Sequence, residues 1–159
     1  MMIKSLTMTI LLGFGVALAG GQTCVAASFA PAEKIRPNPI AYDAGKKAAD
    51  AGDYQTAVEK LRKSVATDPR SADAYNLLGY SYRKLGDTDA AFENYRTALL
   101  IDRSHRGAHE YLGELYLEMD NLAEAEKLVR SLGKSCAYSC VEYRELKQEI
   151  AKYKAAHGG

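Results

Sequence analysis

The feature that most constrains this chain is a period. The stretch Ala72–His105, ADAYNLLGYSYRKLGDTDAAFENYRTALLIDRSH, meets a relative of itself when shifted by 34 residues in either direction. Residues 38–71 read NPIAYDAGKKAADAGDYQTAVEKLRKSVATDPRS, and RGAHEYLGELYLEMDNLAEAEKLVRSL begins at Arg106. A unit of that size lacks the surface to bury its own apolar face and is stable only when stacked on its neighbours. The chain is therefore expected to fold as an array.

Inside the central unit, Tyr75, Leu78, Gly79 and Tyr82 fall at i, i+3, i+4 and i+7, one stripe of a helix. Gly86-Asp87 interrupts the stripe, since Gly suits the left-handed residue that ends a helix. A second stripe follows in Ala91, Tyr95, Ala98 and Leu99. Each unit reads as helix, tight turn, helix, and no segment alternates with the period of a strand. The fold class is all-α.

Outside the repeats, the first residues read as an address. Lys4 precedes an apolar run, Leu6–Ala19, and Val25-Ala26-Ala27 offers small residues for a peptidase. The expected signal peptide is 1–27, cleaved after Ala27; the run is short for a membrane span, which needs about 20 residues. A retained anchor and a lipidated Cys24 are the alternatives. The leader resembles a bacterial export signal, which places the protein in the periplasm or outside the cell, with no membrane span after cleavage. Residues 28–38 hold Pro31 and Pro37 and form a stiff linker, and Pro39 suits the start of the first helix. With 21 basic and 20 acidic residues among 159, the chain has no global pull toward nucleic acid.

The motif Tyr75-x2-Leu78-Gly79-x2-Tyr82 with Ala91-x3-Tyr95 resembles the tetratricopeptide repeat signature. Three units share it: 38–71, with Gly45, Ala57-x3-Leu61 and Pro69; 72–105; and 106–133, with His109, Leu112, Gly113, Tyr116 and Ala125-x3-Val129. The resemblance implies a right-handed α-solenoid. Gly45, Gly79 and Gly113 would let paired helices approach, meeting the small Ala57, Ala91 and Ala125. The third unit turns on Asp120-Asn121, residue types that tolerate left-handed geometry, and its second helix is expected to stop early, at Leu132-Gly133. His109 is read as a packed core residue. Residues 134–156 form a Cys-x3-Cys loop and a capping helix, with Ser139 as N-cap and Glu142 reaching back in a capping box, and 157–159 are a tail. Small exported bacterial members of the family with a similar Cys-x3-Cys and final helix are what the mature chain most resembles.

That resemblance also implies a concave groove on the outward face of the leading helices. Its rows are Tyr42, Asn76 and Glu110; Lys46, Tyr80 and Glu114; then Ala49, Arg83 and Leu117; then Asp50, Lys84 and Glu118. The candidate binding residues are Tyr42, Lys46, Asn76, Tyr80, Arg83, Lys84, Glu110 and Glu114. Tyr and Asn would stack and hydrogen-bond, and Lys46, Arg83 and Lys84 would make charge contacts. The competing account makes Asp50–Lys84–Glu118 a row of surface ion pairs. Some relatives grip a terminal carboxylate with basic and amide residues, but Tyr42, Leu77, Gly107 and Tyr111 stand where that set belongs.

Cys136 and Cys140 are read as a disulfide staple on the final helix, given an oxidising compartment. A reactive Cys140 at a helix start, or a metal site, is the alternative, although no third ligand lies nearby. No Ser–His–Asp set, phosphate loop or carboxylate pair suggests an enzyme, a cofactor or a bound metal. The expected function is a non-catalytic interaction module of the cell envelope that holds a protein or peptide partner. A thiol-redox or metal-handling protein using Cys136 and Cys140, and a self-assembling homo-oligomeric scaffold, are the alternatives.

Overall fold

The computed structural model of the chain describes residues 39–158. The expected leader, its cleavage after Ala27, Cys24 and the 28–38 linker lie outside the described residues. Within them the chain is all helix: α1 (Pro39–Asp50), α2 (Tyr54–Thr67), α3 (Ala72–Lys84), α4 (Thr88–Ile101), α5 (Arg106–Glu118), α6 (Leu122–Ser135) and α7 (Val141–Ala156). No described helix is long and apolar enough to cross a membrane.

The period reappears in the backbone. Gly52, Gly86 and Asp120, one per unit, all adopt positive φ, at 78°, 81° and 56°. The residue after each one caps the next helix: the side chains of Asp53, Asp87 and Asn121 accept the backbone N–H of Thr56, Ala90 and Glu124. Ser71 and His105 cap α3 and α5 in the same way. Each cap satisfies one of the donors that a helix start leaves open. Asp120 thus performs the left-handed turn expected of it.

Packing follows the two stripes. A Cβ on Gly45 would sit 2.6 Å from Leu61 Cγ, and one on Gly79 would sit 2.6 Å from the Tyr95 ring. The closest neighbours of these glycines are therefore the residues four beyond Ala57 and Ala91, not the alanines themselves. The alanines are fully buried beside them. In the third unit the residue in the place of Leu61 and Tyr95 is the smaller Val129, and here the array departs from its period. The nearest atoms to a Cβ on Gly113 belong to Leu146 of α7, at 2.6 Å. Leu146 is wholly buried, with Leu117, Ala125 and Ile150 around it.

Helix α7 is in effect a fourth leading helix. Tyr143, Leu146 and Ile150 keep the spacing of Tyr75, Leu78 and Tyr82 two periods on, while Lys147 stands where Gly79 would recur. A lysine there lacks the bare Cα against which a paired helix presses in the units before it. Two expectations about this end need correction. Helix α6 does not stop at Leu132-Gly133 but runs to Ser135, as long as α2 and α4. Gly133 stays helical because the Tyr138 and Tyr143 rings pack against its bare face. Nor does Ser139 cap α7: the cap residue is Cys140, with no side-chain bond, and the Ser139 hydroxyl donates to Cys136 O at 2.8 Å. Ala137 and Tyr138 both take positive φ, which delays the helix by one residue relative to α3 and α5.

If Leu146 holds the end of the array, Leu146→Ala should cost about 2–5 kcal/mol in urea unfolding, the range for a buried Leu truncation. Amides of 141–156 should then exchange faster than those of α3. Unchanged protection of α7 in the variant would refute this role.

Candidate functional site

The leading helices α1, α3, α5 and α7 share one face, and the candidate residues distribute on it unequally. Tyr42 and Tyr80 are half-buried, and Lys46 and Lys84 are exposed. Lys46 pairs with Asp50 of its own helix at 2.6 Å. Lys84 does not join Asp50 or Glu118 in a row of ion pairs; its Nζ lies 5.3 Å from the Tyr80 ring centroid. Tyr80 is the middle of an aromatic run. Tyr54 meets it edge-on at 5.9 Å, and Tyr111 lies on its other side at 5.3 Å. Burial, followed by a hydrogen bond with Tyr54, raises the Tyr80 hydroxyl above its ordinary pKa.

Asn76 and Glu110 are not on the open face. They are 7% and 5% exposed. Successive leading helices close over these positions: Asn76 Nδ2 packs at 3.0 Å from where a Gly107 Cβ would stand, so the lack of a side chain there admits it. Glu110 is covered by α7. Its carboxyl is pushed from the ordinary 4.5 up to about 9, first by burial and then by a hydrogen bond with Glu145, with Glu114 and Glu142 adding repulsion. Glu110 therefore keeps its proton at neutral pH, because burial beside other carboxylates disfavours its charged form. Asn76 Oδ1 finds no partner.

Arg83 is a bridge within the array. Its Nη1 donates to Glu114 at 2.5 Å, and its Nε and Nη2 donate to Glu118 at 3.0 and 2.7 Å. Burial works against its charge, but the bonds to Glu118 and Glu114 outweigh that and raise its pKa. Its side chain is only 12% exposed. The fork thus ties α3 to α5, a charge-assisted geometry suited to the planar guanidinium. Beneath it lies the fully buried Tyr95, whose hydroxyl has no partner of hydrogen-bonding geometry.

Beside this bridge opens a cleft of about 470 Å³, lined by Arg83, Glu114, Leu117 and Glu118 on one side and by Glu149, Lys152, Tyr153 and Ala156 of α7 on the other. Four of these eight come from α7, whose contribution to the face is not visible in the repeat rows. The signal for it was available: Tyr143, Leu146 and Ile150 continue the period.

The remaining candidates lie at the array's end. Cys136 and Cys140 are both 8% exposed and face one another with Cα atoms 5.7 Å apart, within disulfide reach. They flank the turn between α6 and α7, packed on Leu132 and Tyr143. Among the described residues, no three His, Cys, Asp or Glu side chains gather in a way that could hold a metal ion. His109 packs as expected, 4% exposed, with Nδ1 against His105 O at 3.0 Å and Nε2 against Ser131 Oγ at 3.2 Å.

Comparison with known proteins agrees with this geometry. Two tetratricopeptide repeat models match the chain, over residues 42–104 and 82–150. The heat shock protein STI1 of Saccharomyces cerevisiae is 33% identical over 63 residues, covering 40% of this chain and 11% of that protein. The chain thus spans about a tenth of that relative's length. The TPR2B domain of yeast Sti1, solved as a pHsp70 complex, superposes with a TM-score of 0.69 at 18% identity, covering 74% of this chain and 96% of the domain. The Yersinia enterocolitica type III secretion chaperone SycD, solved with a peptide of the translocator YopD, superposes with a TM-score of 0.64 at 20% identity, covering 74% of this chain and 89% of that one.

The Glu110–Glu145 contact gives the fold a pH dependence of definite sign. A carboxyl whose pKa is raised by folding contributes stability fully present below its unfolded pKa, and that stability is lost as pH rises through the folded one. Unfolding free energy should therefore fall between about pH 4.5 and 9, and Glu110→Gln should flatten that slope. An equal slope in wild type and variant, followed by urea titration at several pH values, would rule out a protonated Glu110.

Proposed function

The chain belongs to the tetratricopeptide repeat family, and from that premise we propose that it is a protein-interaction module whose leading-helix face docks a segment of a partner protein. The observation that carries this reading is the open part of that face. Tyr42, Tyr80 and Lys84 stand on it without being consumed by the core, and a cleft continues it toward α7. Domains of the same fold solved with bound peptides support a peptide or protein as the ligand class.

The mechanism is preorganisation. Side-chain caps at the starts of α2 to α6, close-packed glycines and the Arg83 fork hold the leading helices in place before a partner arrives. Little of the binding free energy is then spent on ordering the receptor. Tyrosines suit such a face because they offer a large apolar ring with a polar tip at low entropic cost. No step of this function requires catalysis or a cofactor, and we read the protein as a non-enzyme.

We place the module in the cell envelope, processed after Ala27, with Cys136 and Cys140 joined. The leader pattern and the approach of the two cysteines support this. In that setting the bridge pins the turn from which α7 departs.

Two measurements test the proposal. Partners captured by the wild type should be lost by Tyr80→Ala combined with Lys84→Ala, while the circular dichroism and melting temperature stay close to wild type. Arg83 is left intact because its removal strands two carboxylates and confounds the result. Full retention of every partner by the folded double variant would overturn the groove reading. Intact-mass spectrometry of the accumulated protein should find a chain beginning at Ser28 that gains two hydrogens on reduction. A retained leader, or no gain, would overturn the envelope placement or the bridge respectively.

A further inference from the structure

The cleft beside Arg83 has a chemistry of its own. Arg83 is a single cation held between two carboxylates, Glu114 and Glu118. Across the cleft Lys152 is paired with Glu149 at 2.7 Å. The lining therefore carries one more carboxylate than cations, and the most open of its carboxylates is Glu118, whose side chain is 54% exposed. The rest of the lining is apolar: Leu117, Ala156 and the ring of Tyr153.

A cleft of about 470 Å³ that combines apolar wall with an excess carboxylate matches one kind of side chain. Lysine and arginine bury a hydrocarbon stem while keeping a cationic head in a polar setting. An acidic side chain would meet Glu114, Glu118 and Glu149 and be repelled. We propose that this cleft receives a lysine or arginine side chain of the docked partner segment, an inference that rests on the leading-helix face being the docking groove. The cationic head sits against Glu118, and the stem lies on Leu117 and Ala156. Partner choice at this end of the groove is thus for basic residues.

The test uses 15N-labelled protein in the form the cell accumulates, titrated with N-acetyl-arginine methylamide, N-acetyl-lysine methylamide and N-acetyl-glutamate methylamide. The cationic probes should give saturable shifts at the amides of residues 117, 118, 153 and 156, and the glutamate probe none. Glu118→Gln should weaken the cationic probes about fivefold, the scale of one partly exposed ion pair. Glu59→Gln, on α2 away from the cleft, should leave them unchanged. Equal shifts with the glutamate probe, cationic shifts spread over all acidic surface, or an unchanged affinity in Glu118→Gln would each overturn the inference. Concentration-dependent broadening of the same amides without probe would assign the cleft to a second copy of the chain and likewise overturn it. Because the partner-capture assay with Tyr80→Ala and Lys84→Ala reads the groove separately, a cleft without cation preference leaves the groove reading standing. Loss of the groove reading would show there first.

Discussion

The structure depends on one packing constraint, repeated three times: a bare Cα on each leading helix into which a neighbouring side chain presses. Leu61 fills the place at Gly45, Tyr95 at Gly79 and Leu146 at Gly113. The pressing side chains are fully buried, so each contact adds apolar burial and also fixes the distance between two helix axes. Everything useful on the leading-helix face inherits its position from those distances. The Arg83 fork reaches Glu114 and Glu118 because α3 and α5 are held at that spacing.

The third of these contacts explains how the array ends. Val129 is too small to do what Leu61 and Tyr95 do, and the space it leaves is taken from the far side by Leu146. A helix that merely capped the array would expose a polar face and touch the last unit lightly. Helix α7 instead enters the core of that unit, buries Glu110 and supplies half of the cleft lining. The end piece is therefore also a wall of the candidate site. The turn that feeds it, with positive φ at Ala137 and Tyr138 and the two cysteines on either side, sits at a point where local geometry affects the groove.

The scaffold was legible because its determinants are local and periodic. Gly52, Gly86 and Asp120 occupy one position per unit, the capping residue follows each, and the stripes of α3 and α4 can be counted from the letters. The site was only partly legible. Reading rows of outward positions treats every leading helix as equally open, yet Asn76 and Glu110 are shut in by the next helix of the array. Row position does not encode how far one helix leans on another; that depends on volumes at Val129 and Gly113, which must be compared across units. The final cap was misread for a similar reason. Ser139 matches Ser71 and His105 by period, but the cysteine pair and the left-handed residues before it shift the start of α7.

Charge on this face also depends on pairing, which composition conceals. A chain with nearly equal basic and acidic counts looks neutral, and a list of groove residues that includes Lys46, Arg83 and Lys84 looks basic. In the folded chain Lys46 is engaged by Asp50 and Arg83 by two glutamates, leaving Lys84 over Tyr80 toward one end and Glu118 toward the other. An ion pair between neighbouring helices takes its buried cation out of recognition, while the more exposed of two carboxylates sharing that cation still faces solvent. On the proposed docking face a partner would meet the remainder after such pairing: aromatic rings in the middle, a cation beside them and an anionic cleft against α7. The polarity of that remainder runs along the groove. It would orient an extended segment in one direction, with its basic end toward the C-terminal helix.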